Sequence, residues 1–356
     1  MTVHQPPGGQ PLRSIDALVE AGLAAPERRE ALQKVAERYA VSVTPAVAGL
    51  IDPADPADPI ARQFVPDAAE LTTLPQELVD PIGDDAHSPV EGVVHRYPDR
   101  ALLKLVHACP VYCRFCFRRE MVGPGGDALT GAKLDAALAY LASRPEIWEV
   151  IMTGGDPFIL SARRVREVAK RLASIPHIKV ARWHTRVPVV DPGRITPDYA
   201  RALRIPGKAS YIAIHANHPR EFTDDARAAI ATLADAGHVL ISQSVLLKGV
   251  NADVETLGAL MRAFVENRIK PYYLHHPDLA PGTSHFRLTL EEGQALVKSL
   301  RGNLSGLCQP TYILDIPGGA GKIPVGPAFL SGCETPGVEA VAEDRHGGQH
   351  RYPPET

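Results

Sequence analysis

The sequence contains no apolar run approaching the ~18–20 residues that a membrane span requires. Its opening stretch, Met1 to Gln10, has neither the basic segment nor the apolar core of a secretion signal. Membrane insertion and export are therefore not expected, and the chain reads as cytoplasmic. An excess of charge is also missing. With 38 Lys and Arg against 41 Asp and Glu, the formal net charge is −3, which gives no footprint for nucleic acid. No repeat of fixed period runs through the chain, which excludes solenoids and propellers. Cysteine is scarce: five in 356 residues cannot staple a chain of this length, so a disulfide framework is excluded too.

Three of those five cysteines lie together, at Cys109, Cys113 and Cys116 in the stretch His107–Arg119. Two spacers that short put three thiolates on one side of a loop, where they can hold one inorganic centre. A zinc site needs four N or S ligands and commonly pairs one Cys-x-x-Cys with a second; here Cys308 and Cys333 each stand alone. A [4Fe–4S] cluster normally takes four thiolates. Three would leave one iron open to another ligand, and clustered thiols also suit a reducing compartment.

Residues 1–13, rich in Pro, Gly and Gln, are expected to be disordered. Residues 14–88 read as a helical N-terminal cap. Leu18 and Val19, then Leu32, Val35 and Ala36 after Pro26, fall on one helical face. The Asp-Pro repeats from Asp52 are expected to be ordered within that cap. Over residues 89–305, apolar runs at Ala101–Val106, Glu149–Thr153, Lys179–His184, Tyr211–His215, Val239–Gln243 and Pro271–His275 alternate with helical patterns opening at Thr130, Ser161, Thr223 and Asp253. A further helix, Leu290–Leu300, leads to a last strand at Thr311–Ile316. Such alternation predicts an α/β fold with a parallel sheet and right-handed crossovers. Residues 306–335 form a C-terminal segment, followed by a polar tail over 336–356. The polar motifs all fall just after strands, where barrels of this class keep their chemistry.

The cysteine loop, with Phe115 before Cys116, resembles that of the radical S-adenosylmethionine (SAM) enzymes. The motifs His95–Arg100, Gly154–Pro157, Gln243–Asn251 and Asp315–Pro324 follow it in the order seen in the lysine 2,3-aminomutases. The resemblance runs from about Asp52 to about Pro327. It implies a partial (βα)6 TIM-like barrel, a [4Fe–4S] cluster on Cys109, Cys113 and Cys116, SAM on the open iron, and pyridoxal 5′-phosphate (PLP). It further implies a lysine substrate, isomerised to β-lysine by amino migration, an electron donor such as a flavodoxin or ferredoxin, and a homo-oligomer.

The resemblance assigns roles residue by residue. Gly154, Gly155 and Asp156 match the segment that binds the amino group of SAM; glycines after a strand let a ligand approach the backbone. His215, Asn217 and Gln243 match positions lining the SAM or cofactor pocket. Gly318-Gly-Ala-Gly-Lys322 is not a phosphate-binding P-loop, because Ile316 and Ile323 stand where Gly and Ser or Thr are needed. A flexible glycine stretch presenting one lysine suits a Schiff base, and Lys322 matches the PLP-bearing lysine of the family. Arg96, Tyr97 and Arg100 match its phosphate ligands, where arginine's planar fork is apt. Arg118 matches the residue that holds the substrate α-carboxylate. Asp278 and Asp315 match the pair that holds the distant ammonium of lysine, a cation that needs compensating charge in a partly dry pocket.

Two departures bear on the reading. His275 replaces a tyrosine of the long lysine enzymes and resembles shorter relatives that supply β-lysine for elongation factor P. The residues past Pro336 hold no cysteine cluster, so the zinc-binding C-terminal segment of the long enzymes, and with it the basis for carrying over their oligomer, is expected to be missing. The alternatives are a 2,3-aminomutase for another amino acid, a radical SAM protein lacking PLP, and a non-catalytic iron–sulfur protein, which would give Lys322, Arg96 and Arg100 no purpose.

Overall fold

The computed structural model describes residues 9–331 and 340–352. Cys333 and most of the stretch expected to be disordered lie outside them. The core is a nine-stranded sheet whose spatial order follows the chain. Strand β1 (Val93–Tyr97) pairs antiparallel with β2 (Arg100–Val106). From β2 the sheet continues in parallel through β3 (Glu149–Gly154), β4 (Val180–Thr185), β5 (Ala209–His215), β6 (Val239–Val245), β7 (Ile269–His275) and β8 (Thr311–Ile316). The six expected barrel strands and the expected last strand, β8, are all present, and β8 pairs parallel with β7. Strand β9 (Gly321–Pro324) folds back antiparallel on β8.

The crossovers are helical where one apolar stripe can face the sheet. Leu134, Leu138 and Leu141 are buried from Gly131–Ala142, Val165, Val168 and Leu172 from Ala162–Ala173, and Leu257, Leu260, Met261 and Phe264 from Val254–Glu266. Ser161, Thr223 and Asp253 cap their helices through side-chain oxygens. Thr130 makes no such bond. Between β4 and β5, Pro188, Pro192 and Pro197 divide the crossover into single turns, because proline is tolerated only in a first turn.

Lys322 does not sit on a flexible loop. It lies in β9, directly opposite Asp315 in the β8–β9 register. The glycines that suggested flexibility build the turn instead: Gly318, Gly319 and Gly321 have φ of 80°, 91° and 106°, open to glycine at little cost. This hairpin brings the two edges of the sheet together. The backbone N–H of Lys322 donates to the Tyr97 hydroxyl at 2.8 Å, and Gly318 N–H donates to the Pro81 carbonyl at 3.2 Å. The wall is thereby nearly closed.

The N-terminal cap is fastened to the cysteine loop. Ser42 Oγ donates to Pro110 O at 2.7 Å, and Arg114 N–H donates to Gln63 O at 2.8 Å. Beneath these bonds lies Glu70, with no solvent exposure. It takes Nε of Arg114 at 3.0 Å and Nη2 at 2.6 Å, and a further hydrogen bond from Arg119. The Arg119 guanidinium in turn lies 3.5 Å over the Tyr39 ring. Residues beyond β9 carry a small antiparallel sheet, Leu330–Ser331, Ala340–Glu343 and Gln349–Tyr352. No helix among the described residues is long and apolar enough to cross a membrane.

Glu70→Ala would leave two buried guanidinium groups uncompensated, a change that destabilises by roughly 3–5 kcal/mol. Urea unfolding of this variant is expected to show that loss, and a midpoint within error of wild type would remove Glu70 as the fastening of the cap.

Candidate active site

A cavity of about 350 Å³ is lined by all sixteen residues to which the sequence resemblance assigns a role. That volume is in the range of small-molecule sites. The cysteines, the Gly154–Asp156 turn, His215 and His275 reach it from strand ends or the loops that follow, while Arg96, Arg100 and Lys322 come from β1, β2 and β9.

Cys109, Cys113 and Cys116 are free and half-buried. Burial, with the negative charge of Asp156 and of the other two thiols, pushes Cys109 well up; burial and Cys113 push Cys116 to about 11. Metal ligation would therefore have to displace protons. Among the described residues no three ligating side chains converge tightly enough for a single ion. That donor set argues against zinc, which gathers its ligands around one atom at ~2.3 Å. It fits a multi-iron centre, in which each thiolate takes its own iron.

Gly154 and Gly155 serve the cysteine loop before they serve any ligand. A Cβ on Gly154 would lie 2.4 Å from Val106 O, and one on Gly155 2.2 Å from Ala108 O. The Gly155 and Asp156 amides donate to those same two carbonyls at 2.6 and 3.0 Å. Asp156 is buried and accepts from Phe158 N at 3.0 Å, Thr185 Oγ1 at 2.8 Å and Arg186 N at 2.7 Å. The motif thus locks the loop to the ends of β3 and β4. Asn217 is similarly committed, its Oδ1 accepting from Val245 N at 2.9 Å and its Nδ2 donating to Gln63 at 3.2 Å. His215 presents a buried, unpartnered Nε2 beside His184, whose Nε2 is also unpartnered. Burial lowers His215 to about 3, so it faces the cavity as a neutral ring.

The opposite side of the cavity is ionic. Lys322 Nζ pairs with Asp315, and His275 Nδ1 lies 3.6 Å from the same carboxylate oxygen. Burial raises Asp315, but hydrogen bonding from His275 and the Lys322 charge outweigh it and hold the acid well below the usual carboxylate range. Asp278 has no hydrogen-bond partner among the described residues; burial and the nearby Asp315 charge push it up to about 7. Arg118 is held by Asp84 Oδ2 through Nε at 3.1 Å and Nη2 at 2.8 Å, with Nη1 3.4 Å from Thr153 Oγ1. Burial raises Asp84, yet Arg118 keeps it below its ordinary value.

Arg96 donates to the Ile82 carbonyl and leaves a buried Nε without a partner. The Arg100 guanidinium lies 3.9 Å over the Tyr97 ring. Two cations, one with an orphaned donor, and a phenol at one end of the cavity fit a phosphate. The reach of Lys322 into the same space fits a carbonyl-bearing cofactor. Sequence reasoning missed Asp84, Gln63 and Glu221. Gln63 stands in Ile60–Phe64, which resembles a segment of the aminomutases but carried no assigned role, and Asp84 and Glu221 are identified only by what they touch.

The radical SAM superfamily model matches residues 103–260, and a model described as lysine-2,3-aminomutase matches residues 297–336. The L-lysine 2,3-aminomutase of Clostridium subterminale is 39% identical over 304 residues, 85% of this chain and 73% of that protein. The glutamate 2,3-aminomutase of Clostridioides difficile is 33% identical over 90% of this chain and 75% of its own length. A radical SAM methyltransferase from Sphaerobacter thermophilus matches in structure with a TM-score of 0.44 at 20% identity, covering 62% of this chain and 68% of the other. The cysteine loop and the Lys322 hairpin both fall inside the matched regions, and the chain belongs to the lysine 2,3-aminomutase family of radical SAM proteins.

Proposed function

We propose that the protein is a cytoplasmic 2,3-aminomutase that converts lysine to β-lysine, with a [4Fe–4S] cluster, SAM and PLP as its cofactors. The observation that carries lysine over glutamate is Asp278, an unpartnered carboxyl beside Asp315, which already holds one ammonium, that of Lys322. A second ammonium relieves the repulsion between the two acids, whereas a glutamate side chain would add a third negative charge. When bound, the cofactors supply the adenosyl radical and the electron sink for nitrogen migration.

The chain's own residues provide binding and placement. Cys109, Cys113 and Cys116 hold the cluster, and His215 and Gln243 line the SAM side of the cavity. Arg96, Tyr97 and Arg100 take the PLP phosphate, and Lys322 anchors its carbonyl carbon. Arg118 shares its guanidinium between Asp84 and the substrate carboxylate, while Asp278 and Asp315 fix the far ammonium. Two anchors at opposite ends of one substrate set where its β-carbon lies, which is how such a site positions a reacting hydrogen. A low-potential flavodoxin or ferredoxin as electron donor, and a homo-oligomer, complete the reading. Clustered free thiols are in keeping with a reducing compartment.

Anaerobic reconstitution is expected to load one cluster per chain. Cys109→Ala, Cys113→Ala and Cys116→Ala should each abolish its absorbance, while Cys308→Ala, away from the cavity, retains it; loss in Cys308→Ala would overturn the three-ligand assignment. Borohydride treatment of PLP-loaded protein should fix the pyridoxyl group on Lys322, and peptide mapping that finds it on another lysine refutes that role.

Substrate choice is tested by Asp278. A charged hydrogen bond contributes ~1.5–3 kcal/mol, so Asp278→Asn should raise the KM for lysine by roughly ten- to a hundredfold with cluster and PLP content unchanged. Because Asp278 titrates near 7, its acid form must lose a proton before it can pair with an ammonium. The wild-type KM should therefore fall by up to about tenfold per pH unit as pH rises toward 7, then level off. Asp278→Asn should lack that slope. Faster turnover of glutamate than of lysine, or an unchanged slope in the variant, would remove lysine as the substrate.

A further inference from the structure

The Arg186 side chain, just after β4, has no part in the reading above, yet both of its terminal nitrogens are committed inside the molecule. It is buried, and its backbone N–H is tied to Asp156 at 2.7 Å. At the other end, Nη2 donates to Glu221 Oε2 at 2.7 Å and to Gln63 Oε1 at 2.5 Å. Phe64 and Phe115 flank the guanidinium at 4.7 and 5.5 Å. The remaining arm, Nη1, reaches Cys113 Sγ at 3.5 Å.

Glu221 is equally fixed. Its Oε1 accepts from the Asn217 and His218 amides at 2.8 and 2.9 Å. The fork of Arg186 is thus aimed at the sulfur by groups that cannot turn away. Gln63 belongs to the cap, and its carbonyl also holds Arg114, the neighbour of Cys113. Such an arrangement exceeds what neutralising Glu221 would need, since a lysine could do that without reaching a thiolate as well.

We infer that Arg186 tunes the iron–sulfur cluster, raising its reduction potential by donating a charged hydrogen bond to the Cys113 thiolate, with Glu221 as the counterweight that limits the rise. The inference rests on the reading of Cys109, Cys113 and Cys116 as cluster ligands. Reduction adds one electron, supplied by the low-potential donor, to a centre already surrounded by thiolates. Hydrogen bonds to the sulfurs and nearby net charge are the levers that set such potentials. A cation against one sulfur stabilises the electron-rich form, and an anion behind that cation offsets part of the effect.

The two charges therefore have opposite consequences. Full-length protein, reconstituted anaerobically without SAM or lysine, is titrated with dithionite in the presence of mediators, and the midpoint is read from the visible and electron paramagnetic resonance signals. Relative to wild type, Arg186→Gln should shift the midpoint to more negative potential. Arg186→Lys should fall between the two, because an ammonium cannot span Glu221, Gln63 and Cys113 together. Glu221→Gln should shift the midpoint to more positive potential. A purely structural knot predicts that loosening either partner moves the midpoint in the same direction, and that result overturns the inference, as does an unmoved midpoint in Arg186→Gln. Should Arg186→Gln fail to take up iron, Arg186→Lys and Glu221→Gln decide the question by the same opposition of sign. A wild-type chain that assembles no cluster would refute the cysteine assignment itself, an outcome distinct from a cluster whose potential ignores Arg186.

Discussion

A carboxylate removed from water and shared by two guanidinium groups sets the geometry on which the cavity depends. Glu70 belongs to the cap, whereas Arg114 and Arg119 flank Cys116. The position of the cysteine loop is therefore decided by a segment more than forty residues earlier in the chain. Buried ion pairs of this sort add little net stability, because desolvation consumes most of the Coulombic gain, but a misplaced partner leaves a bare charge in a dry interior. Their contribution here is uniqueness: the loop has one arrangement in which all three charges are compensated. Arg186, Glu221 and Gln63 repeat the device past the ends of β4 and β5. Between them the two knots join cap, loop and strand ends into one body.

The sheet supplies the second constraint. Parallel strands in chain order curl into a wall, and a wall with two free edges would expose unpaired backbone at both. Here the edges are the hairpins β1–β2 and β8–β9, and they meet where Lys322 donates to the Tyr97 hydroxyl. The contact that closes the wall is thus made by two of the residues read as cofactor ligands. A lysine on a strand with fixed register opposite Asp315 has far fewer conformations than one on a glycine loop. Its ammonium is already placed in the cavity before anything binds.

Much of this was legible in the sequence because it rests on local pattern. Period-3.6 stripes at Leu134–Leu141 and Val165–Leu172, apolar runs such as Glu149–Thr153, and three cysteines at short spacing each carry their own signal. The order of motifs then placed every candidate residue at one cavity. What the sequence did not disclose depends on contacts distant in the chain. Strand β1 was missed because Val93–Tyr97 ends in His, Arg and Tyr and reads as a polar approach to β2. Strand β9 was missed because Gly318, Gly319 and Gly321 signal flexibility until their positive φ angles show a built turn. Gly154 and Gly155 were recognised, but their first obligation is to the carbonyls of Val106 and Ala108. Asp84 gave no sign at all, since an acid in a loop acquires meaning only from the arginine it meets.

That arginine shows how specificity can be written in internal partners. Arg118 is held by Asp84 and Asp315 by Lys322, so each end of the cavity is already charge-balanced within the chain. A ligand carboxylate must share Arg118 with Asp84, and a ligand ammonium must come to the acids beside Lys322. An ion offered at the wrong end meets like charge rather than water, and rejection by unpaired or repelled charge discriminates more sharply than any gain from the correct contact. Affinity is moderated by the same arrangement, because each new pair is formed against an existing one. Asp278 breaks the symmetry. Among the described residues it has no hydrogen-bonding partner, and burial and Asp315 both oppose its ionisation. A zwitterion with an ammonium at its far end is the species that lowers the energy of both Asp278 and Asp315 while its carboxylate shares Arg118 with Asp84.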